Sequence, residues 1–242
     1  MKAIILCAGQ GRRLLPYTES TPKCLLPLNN KTIIEWQIDA LLTIGISQIV
    51  AVTGYAAQSI ESLLRTRYGD DVTCVYNPFY ELADNLASCW MARTHFSEEF
   101  LLLNGDTLFE PTIITELLKL NEFPITLATD KKDSYDDDDM KVISKSSKLV
   151  SVGKKLPLDR VNGESIGVMK FNCEGAQLFK RTIEQLMLTQ ESLQKWYLST
   201  IDLLAKDDNV GICSINGLEW AEVVFVQDIE IAKRLTAKWS NT

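Results

Sequence analysis

The chain has 242 residues, of which 46% are hydrophobic and 24% charged, and a formal net charge of −7. That composition fits an ordinary globular protein with enough chain for one large α/β domain, or a domain with a small appendage. The negative balance argues against nucleic acid or an anionic membrane as the main partner.

The predicted elements alternate through the first half. Lys2–Cys7 is a continuous apolar strand that runs into Gly9-Gln10-Gly11. Thr32-Ile33-Ile34-Glu35 is a capping box opening a helix to Ile44, which Gly45 stops. Gln48–Thr53 reads as strand. Ala56–Arg67 reads as helix, with Ile60, Leu63 and Leu64 on one face. Val72–Tyr76 is again strand, and Asn77-Pro78 turns the chain. Asp84 or Asn85 caps a helix through Arg93. Phe100–Leu103 is a buried strand ending in Asn104-Gly105-Asp106, and Pro111 sits near the first turn of the next helix. Strand alternating with helix is the pattern of a parallel sheet covered on both faces.

After Thr129 the rhythm changes. Residues 130–139 are polar, with Asp136-Asp137-Asp138-Asp139 among them. The runs Lys141–Ser144, Leu149–Val152 and Ser165–Phe171 predict hairpin or mixed strands added to the sheet. Helices return over Glu174–Leu188, around Trp196–Ala205 and from Asp228 to Trp239. The architecture expected is a single α/β domain over 1–242, a Rossmann-like three-layer sandwich with a mainly parallel mixed sheet and a small β-rich insertion. The six cysteines include no Cys-x-x-Cys pair and read as free core thiols in a reducing compartment. The opening residues are too short and too weakly basic for a signal peptide. No apolar run approaches the roughly 18 residues of a membrane span, so the expected location is the cytoplasm, away from the membrane.

Charge is concentrated where the chemistry points. Residues 1–31 carry Lys2, Arg12, Arg13, Lys23 and Lys31 against Glu19 alone, a local balance of +4 that leaves −11 for the rest. A positive island in an acidic chain suggests a small anionic ligand met locally. Gly9 and Gly11 let backbone approach an anion closely. Arg12 and Arg13 follow at once, and guanidinium groups grip phosphate oxygens in bidentate fashion. Lys23, held behind Pro22, reaches the same place as a point charge. The segment is not a P-loop, because Gly-Lys-Ser/Thr is missing, and Leu14 stands where a dinucleotide fingerprint has its third glycine.

Residues 3–28 instead resemble the nucleotidyltransferase superfamily that makes nucleoside-diphosphate sugars and alcohols. The motif is Leu-Ala-x-Gly-x-Gly-x-Arg-Leu followed by Pro-Lys-x-Leu. Here it runs from Leu6 to Leu14 and from Pro22 to Leu25, with Cys7 for the usual alanine and Arg12 for the usual threonine. The resemblance implies the nucleotide-diphospho-sugar transferase fold. It implies catalytic roles for Arg13 and Lys23 on the triphosphate, and nucleotide contacts from Leu6, Ala8, Gly9, Gly11 and Gly105. It also implies a nucleotide-binding half at 1–129 and an acceptor-binding, closing half at 130–242. Asp106, directly after a buried strand, lies at the edge where open α/β sheets bind ligands. There a carboxylate can hold Mg²⁺ together with phosphate oxygens, although an isolated Asp in this place also serves as a turn or cap residue. The family sets its metal-binding Asp at this strand end, so Asp106 takes that role with Mg²⁺ as cofactor.

Tyr76-Asn77-Pro78 with Asp84-Asn85-Leu86-Ala87-Ser88 resembles phosphocholine-type cytidylyltransferases, as do Lys154-Lys155-Leu156 and Gly163–Gly167. By that likeness Asn85 and Ser88 border the base, Lys154 the phosphates and Glu164 the acceptor, and CTP is the preferred nucleotide. The plainer alternative makes Asn85 and Ser88 the start of a capped helix. One departure stands out: relatives carry Trp-x-Glu-Ile-Asp, whose last Asp helps to hold the metal, where this chain has Trp220-Ala221-Glu222-Val223-Val224. Either Glu222 takes the role, or the metal rests on Asp106 and the substrates, or activity is weakened.

The implied reaction is attack by a phosphate or phosphonate oxygen on the α-phosphorus of a nucleoside triphosphate. Such a nucleophile, with a second pKa of about 6, needs no general base. The expected acceptor is phosphocholine or a related phosphonate or phosphorylated amine, with Trp196, Tyr197 and Trp220 as aromatic candidates for its head group. The alternatives are a sugar-1-phosphate or inositol-phosphate nucleotidyltransferase and a non-catalytic nucleotide-binding module. A homodimer stays open. His95 reads as a surface or cap residue, the 136–139 aspartates as a mobile solvated loop, and Trp36, Trp90 and Trp239 as helix packing.

Overall fold

The computed structural model describes residues 1–240. Its first strand, β1 (Lys2–Leu6), is buried on both faces because Ala3 to Leu6 are all apolar. Ala3 and Ile5 face one core and Ile4 and Leu6 the other, as period-2 alternation requires. A short hairpin, β2 (Pro27–Leu28) and β3 (Lys31–Thr32), leads into α1 (Ile33–Thr43). The predicted capping box is formed: the Glu35 carboxylate accepts from the Thr32 N–H at 2.8 Å and the Thr32 hydroxyl accepts from the Glu35 N–H at 3.4 Å. Next come β4 (Gln48–Thr53), α2 (Ala57–Tyr68), β5 (Val72–Tyr76), α3 (Asn85–Met91), β6 (Phe100–Asn104), β7 (Thr107–Phe109) and α4 (Pro111–Lys119). The second half contributes β8 (Ile125–Asp130), β9 (Lys141–Lys145), β10 (Lys148–Gly153), β11 (Gly163–Phe171), α5 (Cys173–Leu186), α6 (Tyr197–Ala205), β12 (Val210–Ser214), β13 (Trp220–Glu222) and α7 (Val226–Trp239).

Nine strands form one sheet in the order β5-β4-β1-β6-β11-β8-β12-β10-β9. The first four are mutually parallel, β11 runs antiparallel between β6 and β8, and β12 is parallel to β8. The β9–β10 hairpin completes the far edge, and β9 also bonds to the start of β11. The β-rich stretch expected after residue 130 therefore extends the main sheet. Helices α1, α2 and α4 cover one face, while α3, α5 and α6 cover the other, giving the expected three layers. On the second face Phe96, Phe100, Phe171 and Phe179 stack with centroids 4.5–5.5 Å apart. Each such ring, fully buried, contributes about 1.5–3 kcal/mol. Helix α7 packs with β2 in a third, smaller cluster, where Trp36 and Trp239 meet edge to face at 6.2 Å.

The chain differs from its predicted elements in places with local causes. The helix expected through Arg93 stops at Met91 and tightens into a single turn over Arg93–His95. The short strands β7 and β13 pair only with each other, over three residues, too few to leave a periodic trace. All six cysteines are free thiols. No described helix is long and apolar enough to cross a membrane.

Candidate active site

The sheet order reverses at β1. The chain leaves β1 to form β4 on one side and comes back as β6 on the other, with Leu6 level with both Val52 and Asn104. Ligands of open α/β sheets collect outside the strand ends at such a point. Here the turns after β1 and β6 lie against each other: the Gly105 N–H donates to the Leu6 carbonyl at 2.9 Å. A Cβ on Gly105 would stand 2.5 Å from that carbonyl oxygen, so glycine is what permits the approach. Gly11 has φ +78°, and a Cβ there would meet the Lys23 Cβ at 2.9 Å. The glycine turn is thus the surface on which the stem of Lys23 lies, which gives a physical reason for the two halves of the motif to occur together.

Lys23, so placed, donates from Nζ to Asp106 Oδ2 at 2.6 Å, with both side chains largely buried. Beside them opens a cleft of about 440 Å³ whose walls include Arg13, Asn85, Asp106, Lys154, Glu164 and Glu222. Six of the site residues read from the sequence therefore border one space, and a seventh, Lys23, reaches its edge through Asp106. Arg12 does not: it lines a neighbouring hollow of about 290 Å³ with Gln10, Tyr80 and Asp84, so the turn directs its two arginines apart. Ala8 is buried, its carbonyl accepting from the Tyr55 N–H, and Gly9 is open to solvent.

One expectation is corrected and another is qualified. Ser88 does not reach the cleft; it is 4% exposed and its hydroxyl accepts from Asn77 Nδ2 at 3.0 Å, which holds the Asn77-Pro78 turn against α3. Asn85 does reach the cleft, but its Oδ1 accepts from the Tyr197 N–H at 2.9 Å. The aspartate loop is exposed to solvent at Asp136, Asp137 and Asp138, as expected, yet ion pairs tie it to the cleft. Asp138 bridges Arg13 and Lys154, at 2.9 Å to each, and Asp139 pairs with Lys132 at 2.8 Å. The Asp136 carbonyl accepts from Lys141 Nζ. The segment passes between two cations of the cleft, Arg13 and Lys154, and the hydrogen bond from Lys154, with Arg13 beside it, holds Asp138 below the usual carboxylate range. A triphosphate reaching Arg13 and Lys154 must displace Asp138. Exposed ion pairs contribute up to about 1 kcal/mol each, so Asp138→Asn is expected to lower the KM for the triphosphate about two- to fivefold, read from initial rates.

Sequence reasoning also missed Lys132, whose Nζ lies 2.7 Å from Glu164 Oε2 as well as on Asp139. Burial opposes its charge, yet the bonds to Asp139 and Glu164 outweigh this and raise the ammonium pKa. Glu164 shares that cation, is 3% exposed, and is pushed up to about 7 by burial, with Asp139 and Asp130 adding repulsion. The two directions oppose each other across the pair: two carboxylates hold the ammonium charged, while burial of Glu164 outweighs its share of that one cation. An acid whose folded pKa is raised stabilises the fold fully below its unfolded pKa, near 4.5, and loses that contribution as pH climbs to about 7. The melting temperature of the natural chain should therefore fall relative to Glu164→Gln across that window, as thermal denaturation at several pH values will test.

Metal fit can be judged from the carboxylates. No group of three or more His, Cys, Asp or Glu among the described residues is arranged to hold an ion unaided. Mg²⁺ does not need one, since it keeps waters and takes one or two carboxylates plus substrate phosphates. Asp106 Oδ1 is buried with no hydrogen-bond partner. The Glu222 carboxyl is raised by desolvation and then by Asp106, against the pull of Lys23. An orphaned oxygen beside a second, repelled carboxylate is a pair that a hard cation would relieve. The nearby Asp228 is occupied, its Oδ2 accepting from the Val224 and Phe225 N–H groups at 2.8 and 2.7 Å. His95 lies elsewhere, beside Lys2 and Gln48 at the amino edge of the sheet.

Comparison with known proteins gives the family and the fold. The family model described as the MobA-like NTP transferase domain matches residues 3–136. A choline-phosphate cytidylyltransferase of Streptococcus pneumoniae (strain ATCC BAA-255 / R6) is 34% identical over 125 residues, a match spanning only about half of each protein (52% of this chain and 53% of the relative). A CTP:phosphoglutamine cytidylyltransferase of Campylobacter jejuni is 24% identical over 96% of this chain and 98% of its own length. Among solved structures, the CTP:phosphocholine cytidylyltransferase LicC of Streptococcus pneumoniae superposes with a TM-score of 0.80 at 23% identity, covering 97% of this chain and 98% of that one. The fold is thus the nucleotide-diphospho-sugar transferase fold.

Proposed function

The chain belongs to the MobA-like NTP transferase family, and from that premise we propose that it couples CTP to a small phosphorylated amino alcohol, or a related phosphonate, releasing pyrophosphate. The observation that carries this reading is the Lys23–Asp106 pair at the β1/β6 strand ends, facing a cleft that also holds Arg13 and Lys154. The proposed step joins an acceptor oxygen to the α-phosphorus and breaks the bond from that phosphorus to the oxygen bridging to the β-phosphate. The acceptor oxygen is already anionic near neutrality, with a second phosphate pKa of about 6, so no proton need be moved. The difficulty is electrostatic, because two anions must meet and the leaving pyrophosphate gains charge. Lys23 and Arg13 supply cations to the triphosphate tail, and Lys154, which shares Asp138 with Arg13, brings a third. Asp106 and Glu222 would hold Mg²⁺, which when bound neutralises phosphate charge. The cytidylyl preference rests on the relatives acting on phosphocholine and phosphoglutamine.

A pyrophosphate-release screen pairing four nucleoside triphosphates with phosphocholine, phosphoethanolamine, aminoethylphosphonate and several sugar 1-phosphates tests this reading. Turnover confined to CTP and the amine-bearing acceptors is expected. Selective turnover of a sugar 1-phosphate would refute the acceptor class, and Mg²⁺-dependent CTP binding without turnover of any acceptor would point to a nucleotide-binding module.

A further inference from the structure

The acceptor end of the cleft carries an unmet demand for a hydrogen-bond donor. Glu164, on β11, is 3% exposed; one oxygen accepts from Lys132 Nζ at 2.7 Å, while Oε1 is buried with no partner. A buried acceptor left unpaired is unfavourable, more so when ionised, and it favours any ligand that supplies an N–H or O–H. Around it carboxylates outnumber cations: Asp130 is level with Glu164 on one neighbouring strand and Lys141 on the other, while Asp139 shares Lys132, so one ammonium serves two carboxylates.

The aromatic side chains at this end do not offer a cage for a quaternary ammonium. Such ions are held on exposed ring faces and make no hydrogen bonds. The Trp196 ring already carries Lys154 Nζ at 4.9 Å from its centroid, and the Phe225 ring carries the Arg13 guanidinium carbon at 5.2 Å. Tyr197 is fully buried, with its hydroxyl donating to Asn104 Oδ1 at 2.9 Å. Trp220 is fixed by its indole N–H, which donates to Asp130 Oδ2 at 2.7 Å. Three of the four rings are thus occupied by the cleft's own cations or sunk in the core.

We propose, on the cytidylyl-transfer reading above, that Glu164 sets acceptor specificity by accepting an N–H from the head group. The acceptor is then a phosphorylated or phosphonylated compound bearing an amine or amide N–H rather than a quaternary ammonium. A site built to bond a substrate N–H rejects an analogue that lacks it far more strongly than one differing by a methyl group alone.

The test is kcat/KM for the full chain with CTP and Mg²⁺ on phosphoethanolamine, its N-methyl and N,N-dimethyl derivatives, and phosphocholine. These differ only in methylation, and the last has no N–H. The expected result is a gradual decline over the first three and a break of about tenfold or more at phosphocholine. Glu164→Ala should remove the break, bringing the phosphoethanolamine-to-phosphocholine ratio toward one. Glu164→Gln keeps the side-chain shape should the alanine variant not fold, and should shrink the ratio by weakening the acceptor. Turnover of phosphocholine equal to or above that of phosphoethanolamine overturns the proposal while leaving cytidylyl transfer intact, as does a ratio unchanged in both variants. Absence of turnover for all four acceptors, and for 2-aminoethylphosphonate, overturns the parent reading and the proposal with it.

Discussion

Lys23→Ala is expected to lower kcat on the order of a hundred- to a thousandfold, the loss seen when one donor to developing transition-state charge is removed. The ammonium is fixed at both ends, its stem lying on Gly11 and its Nζ bonded to Asp106 at 2.6 Å. A cation held in place before substrate arrives needs no reorganisation as the leaving pyrophosphate gains charge, and the largely buried setting strengthens its effect. KM for CTP should change less than kcat, since Arg13 and Lys154 still meet the triphosphate, and this split separates a transition-state role from simple binding. Lys23→Arg should not restore the rate. The glycine turn is already in contact with the lysine stem, and a planar fork presents its charge differently from a point ammonium. Steady-state rates with CTP varied at a saturating acceptor decide the matter. A Lys23→Ala enzyme with raised KM and near-normal kcat would reduce the residue to an anchor for ground-state phosphate.

The scaffold that places Lys23 was legible because it is written in local chemistry. The apolar run of β1, the Thr32–Glu35 box and the Phe100–Leu103 strand each declare themselves over a few residues, and each forms as expected. The strand ends then follow from pairing: Leu6 and Asn104 are level, so the glycine turn and Asp106 must be neighbours. Residues whose neighbours come from distant loops were not legible in this way. Lys132 carries no periodic or motif signal, and its meaning comes from Glu164, on a strand reached only after the β9–β10 hairpin. The four aspartates were read only in part, for a related reason: they are largely exposed, but their ion pairs were not foreseen. A charge run by itself predicts solvation, and only the fold reveals that Arg13 and Lys154 flank its path. Ser88 shows the converse, a residue in the expected helix whose hydroxyl turns inward because Asn77 requires a partner. The likeness to known enzymes singled out Arg13, Lys23 and Glu164, whereas the partner of Glu164, Lys132, had to be read from the fold.

Asp106→Asn is expected to reduce kcat about a hundredfold or more and to raise the Mg²⁺ concentration needed for half-maximal rate. The substitution preserves size and leaves an amide oxygen able to accept from Lys23, so that ammonium stays near its place. What disappears is one negative charge and the oxygen that now lacks a partner. With the Asp106 charge gone, Glu222 loses the stronger of the two carboxylates that repel it, Glu164 being the other, and part of a repulsion present in the natural chain is relieved. Folding stability should therefore hold or rise slightly while activity falls, a divergence that a merely structural role for Asp106 does not produce. Thermal denaturation beside a Mg²⁺ titration of rate resolves the two. Glu222→Gln should move the half-saturating Mg²⁺ concentration in the same direction but less far, because its side chain is open to the cleft and water can replace it as a ligand. If Asp106→Asn turned over near-normally at unchanged Mg²⁺, the metal would have to be held by Glu222 and the substrates, and the orphaned oxygen would need another purpose.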